Sequence, residues 1–424
     1  MAKTFRDWDV DQGWLLPPSV RELVPSGHLS HFVRETVRES LDLSAILECY
    51  QEERGQPPYH PVMMTALLLY AYTQGVFSSR KIARACEERV DFMAVTALSQ
   101  PDFRTVNEFR RRHLKALGES FVQVLQLCCR AGLVKLGHVA LDGTKIKANA
   151  SKHKAMSYKR MLEKEPELEA EVKRWLERSE REDQAEDREY GEDRRGDELP
   201  EWVKSKQERL QRIRAAKQAL EEEAQGCAGS GTSGQPTPKS QRNFTDPDSR
   251  IMKTKDGYEQ AYNCQAAVDR EHQVIVAAST TNKQNDGAEL PGVLEQIKAN
   301  TGAQVRELSA DSSYCSEENL KELSKRRIRG YVATGRQRHG ENSAVDGAGK
   351  KIRPRATRMS ARLRRGGWRS RYRFRKQTVE PVFGQIKEGL GFRRFLLRGY
   401  QKVSAEWRLV CAAFNLRKLA LAFG

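Results

Sequence analysis

The sequence predicts an all-α region followed by an α/β domain, and three observations predict it. Residues 1–135 read as helices with cap and stop signals. From residue 138 onward, short apolar runs that end in polar residues alternate with amphipathic stretches. After the first of those runs, residues 151–250 turn charged and helix-forming, then rich in Gly, Ser and Pro. The expected organisation is a helical domain at 1–135, an α/β domain at 136–424, and a charged helical hairpin with a flexible linker at 151–250 inserted within it.

Taken in order, "PVMMTALLLYAYTQGV" predicts a buried helix, and Pro61 suits its first position. "SSRKIARACEERV" predicts a second helix, with Ser78 or Ser79 placed to cap it. The two have the form of a DNA-reading helix-turn-helix as much as that of plain helix packing, with Arg80, Lys81 and Arg84 on the second helix. "PDFRTVNEFRRRHLKALGESFVQVLQLCCRAGL" predicts one long helix, opened by a capping box at Thr105 and Glu108 and closed at Gly132. In "HVALDGTKIKANAS" the apolar run Val139 to Leu141 predicts a strand that ends at Asp142, with Asp-Gly as its turn.

Residues 155–224 hold 21 Asp+Glu and 16 Lys+Arg. Leu162, Leu168, Val172, Trp175 and Leu176 form one apolar stripe, and Trp202, Leu210, Ile213 and Leu220 another. Two antiparallel helices follow, broken at "GEDRRGDELP" and trailed by a linker near 225–241. "YEQAYNCQAAVD" and "QVIVAASTT" predict neighbouring strands. Helix, strand, helix and strand come next, and "VEPVFGQIKEGL" lies on the final helical stretch. With 151–250 set aside, the order is three strands, then helix, strand, helix, strand, helix. That is the order of a ribonuclease-H-like sheet.

Charge points to a partner. The chain carries 74 Lys+Arg against 57 Asp+Glu, a net of +17. From Lys321 to the end the net is +22, and between Lys350 and Lys376 thirteen residues are basic and none acidic. Trp368, Tyr372 and Phe374 interleave that run, a pattern that suits phosphate contact with base stacking. Eight scattered cysteines without a C-x-x-C pair fit a reducing cytosol. "MAKTFRDWDV" has no signal-peptide core, and "PVMMTALLLYAY" is too short to span a bilayer. A soluble cytoplasmic protein without a membrane partner is expected.

Three carboxylates fall at element ends that can converge: Asp142 after the first strand, Asp311 after the fourth, and Glu380 on the last helix. Phosphoryl transfer on DNA uses two divalent ions, and Mg²⁺ takes hard oxygen ligands, so three carboxylates without Cys or His are chemically adequate. Each also has a plainer role open to it. Asp311 could cap the helix after Ser316, and Glu380 could be a surface charge.

"DGTKIKANASKHKAMSY", "GYEQAYNCQAAVD", "SADSSYCSEENL" and "VEPVFGQIKEGLGFRRF" resemble bacterial insertion-sequence transposases of the DDE class, most closely the IS-eleven-eighty-two group. So does "YHPVMMTALLLYAYTQGVFSSRKIARA", which is similar to that group's helical leader. The resemblance implies a DNA transposase that binds terminal inverted repeats and catalyses metal-dependent strand cleavage and transfer. Asp142, Asp311 and Glu380 become its catalytic, metal-holding triad for two Mg²⁺ ions, with Mn²⁺ as substitute. Transposon ends and target DNA are the implied partners, with self-association on DNA as at least a dimer, in the bacterial cytoplasm at the nucleoid.

Relatives also carry a Tyr and a basic residue upstream of the last Glu and a Lys seven residues after it. Here these are Tyr372, Arg375 or Lys376, and Lys387; the commoner spacing favours Lys376. Ser313 stands where relatives often have Gly. DNA contact is further expected from Lys145, Lys147, Arg364, Arg365 and Arg369, and sequence reading from Arg80 and Arg84. The alternative is a catalytically idle or domesticated DNA-binding protein that keeps the same fold.

Overall fold

The computed structural model describes residues 19–50, 58–190, 201–226, 234–254, 257–335 and 354–423. It is a mixed α/β structure with a helical N-terminal region. Among the described residues no helix is long and apolar enough to cross a membrane.

Among the described residues seven helices come first: α1 (Leu29–Ser40), α2 (Ser44–Leu47), α3 (Pro61–Thr73), α4 (Ser79–Glu88), α5 (Val90–Thr96), α6 (Phe103–Arg112) and α7 (Leu114–Arg130). α3 is buried on nearly every side, as its unbroken apolar run requires. Pro61 opens it, where the missing N–H costs nothing, and the His60 ring accepts from Val62 N. It stops before Gly75, whose φ is +72° and whose added Cβ would lie 2.5 Å from Leu390 O. Only glycine meets both demands.

The single helix expected from 101 to 133 is two. The chain kinks at His113 (φ −105°, ψ 16°), which ends α6 and begins α7. Its cap is Asp102 rather than Thr105: the Asp102 carboxylate accepts from Thr105 N at 2.7 Å. Thr105 already lies inside the first turn, where its own N–H is one of the unpaired donors. Gly132, at φ +72°, follows the end of α7 as expected.

Next come β1 (His138–Lys147), β2 (Ala155–Ser157), α8 (Tyr158–Tyr190), α9 (Glu201–Gly226), β3 (Gln241–Asn243), β4 (Arg250–Thr254), β5 (Gly257–Asp269) and β6 (Ile275–Thr281). α10 (Leu290–Thr301), β7 (Glu307–Ala310), α11 (Glu317–Lys325), β8 (Arg329–Val332), α12 (Pro354–Gly366), α13 (Phe374–Gly384) and α14 (Tyr400–Phe423) complete the order. β2 and β3 pair with each other, and α8 and α9 share a small core of Met156, Met161, Leu168, Leu210, Ile213, Ala216 and Leu220. Leu162, expected in the stripe, is exposed, and Met161 beside it is buried instead. The side chains of Trp175, Leu176 and Trp202, the break at 191–200 and the linker stretch 227–233 lie outside the described residues.

Among the described residues the main sheet has six strands. Five run in the order β4, β5, β1, β7, β8, and β6 also pairs with β5. β5 is long enough to serve two partners on one side: β4 along residues 257–261 and β6 along residues 263–268. β1 sits centrally, antiparallel to β5 and parallel to β7. One hydrophobic core runs from Val33 in α1 through the sheet to Leu419 in α14. α14 packs on α3, α7 and β6, and the indole N–H of its buried Trp407 donates to Gln265 O at 3.1 Å.

Candidate active site

Val139, Ala140 and Leu141 are apolar because β1 is flanked on both sides there. β7 accompanies β1 only as far as Leu141, paired with Ala310. β1 itself continues to Lys147 against β5, and at its far end Lys147 also bridges to the backbone at Arg394. Asp142 is therefore mid-strand rather than a strand end, and what ends beside it is β7. Since Asp311 follows Ala310 directly, the two aspartates occupy the next register position on adjacent chains. Asp311 accepts from Ser313 N at 2.9 Å, capping the short turn Ser312–Tyr314; Ser316 caps α11.

α13 crosses β1 and supplies the rest of the cluster. Arg375 Nη1 lies 2.5 Å from Asp142 Oδ2, and Nη2 lies 3.3 Å from Glu380 Oε1. One guanidinium thus bridges a buried carboxylate and an exposed one. Burial raises the Asp142 carboxyl to about 6, Arg375 opposes that rise, and nearby Asp311 and Asp286 add to it. Tyr372 lies close to Arg375, three residues before it in sequence. Lys376 faces outward and is exposed, so Arg375 is the basic residue turned toward the carboxylates.

After Gly384 the helix widens into a π turn, Gln385–Gly389. Lys387 is therefore not two regular α-turns beyond Glu380. Its ammonium donates to Lys145 O at 2.8 Å and ties this turn to β1.

Side chains alternate along a strand, so Gly143, Lys145 and Lys147 face away from Asp142. That second face holds a cluster no single stretch of sequence announces. Asp286 Oδ1 accepts from Asn263 Nδ2, from Gln265 Nε2 at 2.8 Å and from Lys145 Nζ at 3.4 Å. Ser313 Oγ lies 3.1 Å from Asp286 Oδ2 and 2.5 Å from Asp311 Oδ1. Its one proton can serve only one carboxylate at a time. Tyr314, buried, donates to Gln265 Oε1, and Asn319 Nδ2 reaches Gly287 O at 2.6 Å and Tyr314 O at 2.9 Å. A Cβ on Gly143 would fall 2.6 Å from Asp286 Oδ1 and from Gln265 Nε2, so the glycine is what admits the carboxylate. The available signal was one of the chain's other Asp-Gly pairs, 286–287, five residues past the end of β6.

The other expected contacts lie further out. Lys147 is 3.8 Å from Glu259. Arg364 and Arg365 lie on α12, and Arg369 just past it; all three are exposed. Arg80 stacks over Phe103 at 5.3 Å, and Arg84 pairs with Glu88 at 2.7 Å on the exposed face of α4.

Among the described residues no three His, Cys, Asp or Glu side chains stand arranged to hold a metal ion. The donor set nonetheless suits a hard divalent cation: carboxylate oxygens, no thiol or imidazole, and a positive charge already between two of them. Residues 18–112 match the family model of a transposase domain (DUF772), and residues 316–420 match that of a transposase DDE domain. Glu380 falls within the second match, whereas Asp142 and Asp311 precede it. No curated protein and no solved structure gave a match.

Proposed function

We propose, from the premise that this chain is a DDE transposase with an N-terminal transposase domain, that it cuts and joins DNA at the ends of an insertion sequence. What supports this most is one juxtaposition. The β1–β7 register sets Asp142 beside Asp311, and α13 brings Glu380 to the same place with Arg375 between. In this reading the sheet is ribonuclease-H-like, the segment 151–250 is an insertion in the α/β domain at 136–424, and 1–135 is a DNA-binding leader.

Asp142, Asp311 and Glu380 would hold two Mg²⁺ ions, or Mn²⁺ in exchange. Such ions, when bound, activate the attacking oxygen and steady the leaving one. The chain's own residues supply position and charge. Arg375 carries a fixed positive charge and a fork of donors suited to phosphate oxygens, with Tyr372 beside it as a further DNA contact. Lys387 and Lys145 hold the α13 turn and the Asp286 cluster against β1. Lys147, Lys376, Arg364, Arg365 and Arg369 contribute backbone contacts, and Arg80 and Arg84 the sequence-reading ones. The protein acts on DNA as at least a dimer, in the cytoplasm at the nucleoid.

A second reading draws on Arg375 itself. A guanidinium that already balances two of the three carboxylates would also serve a catalytically idle DNA-binding protein. The deciding experiment incubates the full chain with labelled element ends and Mg²⁺. Cleavage and joining are expected. Asp142→Asn, Asp311→Asn and Glu380→Gln should each abolish both while leaving DNA binding near normal. Wild-type protein that binds ends but never cuts them would favour the idle reading.

A further inference from the structure

α12 lies against the outer edge of the sheet at β8 and leaves a groove of about 380 Å³ beside α11. Five exposed arginines line it: Arg327, Arg329, Arg355, Arg358 and Arg362. The last three are spaced by three and four residues and share one helix face. Packing sets that face. Met359 is buried, and Gly330 lets it approach, since a Cβ there would lie 2.8 Å from Leu323 Cδ1 and 3.4 Å from Met359 Cε.

The charge in the groove is largely uncompensated. Arg355 is 3.6 Å from Glu317, and Arg329 is 3.4 Å from Glu307, which also pairs with Arg371. Arg362 donates to Gly330 O at 3.1 Å. Among the described residues Arg327 and Arg358 have no acidic partner. Arginines gathered around one concavity raise the local potential, which an anion relieves.

The groove also has a direction. Arg355 sits beside Glu317, which opens α11 six residues after Asp311. Arg362 sits beside Gly330, near the start of β8, opposite Leu308. The row therefore starts at the Asp311 end of the sheet and runs along its edge toward the other end. Arg355 to Arg362 covers roughly 10 Å of helix, matching about three phosphates along one strand of a duplex.

We propose that this row is a track for the phosphate backbone of duplex DNA leading away from the reacting site. It rests on the proposed function for the identity of its substrate; none of its five arginines was assigned a contact individually, though Arg355, Arg358 and Arg362 fall within the basic run 350–376, and Arg327 and Arg329 join them only in the fold. Arginines in an open line fit successive backbone phosphates, where a closed pocket would fit a single small anion. The grip is on backbone and reads no sequence.

The test uses the full chain, a labelled duplex of unrelated sequence, and fluorescence anisotropy across a salt series. Arg327→Gln with Arg358→Gln is the variant of choice, because neither side chain has an acidic partner to lose. The log–log salt slope should flatten by about 1.8, which is 0.9 for each lost phosphate contact, with an unchanged melting temperature. Arg358→Glu alone should weaken binding further than Arg358→Gln. A double variant that keeps the wild-type slope overturns the track, as does one whose loss is confined to inorganic phosphate. Binding is read without cleavage, so a protein that grips duplex here but never cuts it would defeat the functional reading alone.

Discussion

On one face of β1, the only side chain that holds Asp142 among the described residues is a guanidinium that also reaches Glu380, with the Gly143 N–H donating to the other Asp142 oxygen. On the other face, Asp286 is held by two amides, an ammonium and a hydroxyl drawn from β5, β1 and the turn after β7. The first arrangement has one adjustable part. The second has several, interlocked, and Gly143 makes room for it. On the proposed function, a site that accepts a cation and then DNA would need charge that can be exchanged beside a frame that cannot. The two faces would divide that work, with Asp311 at the seam: its register neighbour is Asp142, and its Ser313 touches Asp286.

The largest effect should come from the adjustable face. Arg375→Gln removes the cation from a buried carboxylate and should cost about 3–5 kcal/mol in chelator at neutral pH. Added Mg²⁺ should restore more stability to this variant than to wild type, because a divalent ion can replace the lost charge. Denaturant titrations with and without Mg²⁺ would check this. Equal recovery in both proteins would break the contrast.

Gly143→Ala comes next and should behave oppositely. Its Cβ collides with Asp286 and Gln265, an overpacking cost of about 1–3 kcal/mol that Mg²⁺ does not relieve. Asp286→Asn should cost about 1–3 kcal/mol, since an amide nitrogen would face donors where an oxygen accepted them. Cleavage by either variant should fall about a hundredfold or more if the Asp311 turn shifts by an ångström. Rescue of either variant by metal would show that this frame is adjustable too.

The smallest effect at neutral pH lies outside both faces. Glu406 of α14 is buried, accepts from Leu396 N and Leu397 N, and is pushed by burial up to about 7. Its folded pKa exceeds the unfolded value near 4.3, so the native state holds the proton more tightly. Stability should fall as pH rises from about 4 to 7 and level off above that. Glu406→Gln should flatten this slope in a pH series of denaturation midpoints.

Much of this was readable before the fold, for reasons that differ by residue. Asp142 stood out because an apolar run broke on it, although the run ended with β7 rather than with β1. Asp311 and Glu380 were reached through element order and resemblance; that Asp311 lies beside Asp142 is a matter of register, and that Arg375 joins Glu380 to Asp142 is a matter of helix packing, and spacing alone gives neither. Lys376 had the commoner spacing, yet α13 turns Arg375 inward. Asp286 was not readable, because its partners at 145, 263, 265 and 313 come from three segments that meet only in the folded sheet. The kink at His113 has no glycine or proline to announce it, and β2 and β3 are too short for alternation to register.

α14 emerges from the ribosome long after the helices it packs on. Gly118 of α7 lies so close to it that a Cβ would come within 3.2 Å of Ala405. Roughly 270 residues separate the end of α7 from the start of α14, and at about 5–20 residues per second their synthesis takes roughly 14–54 s. Throughout that interval α3 and α7 carry an apolar surface with nothing to cover it. These helices are thus made early and completed late.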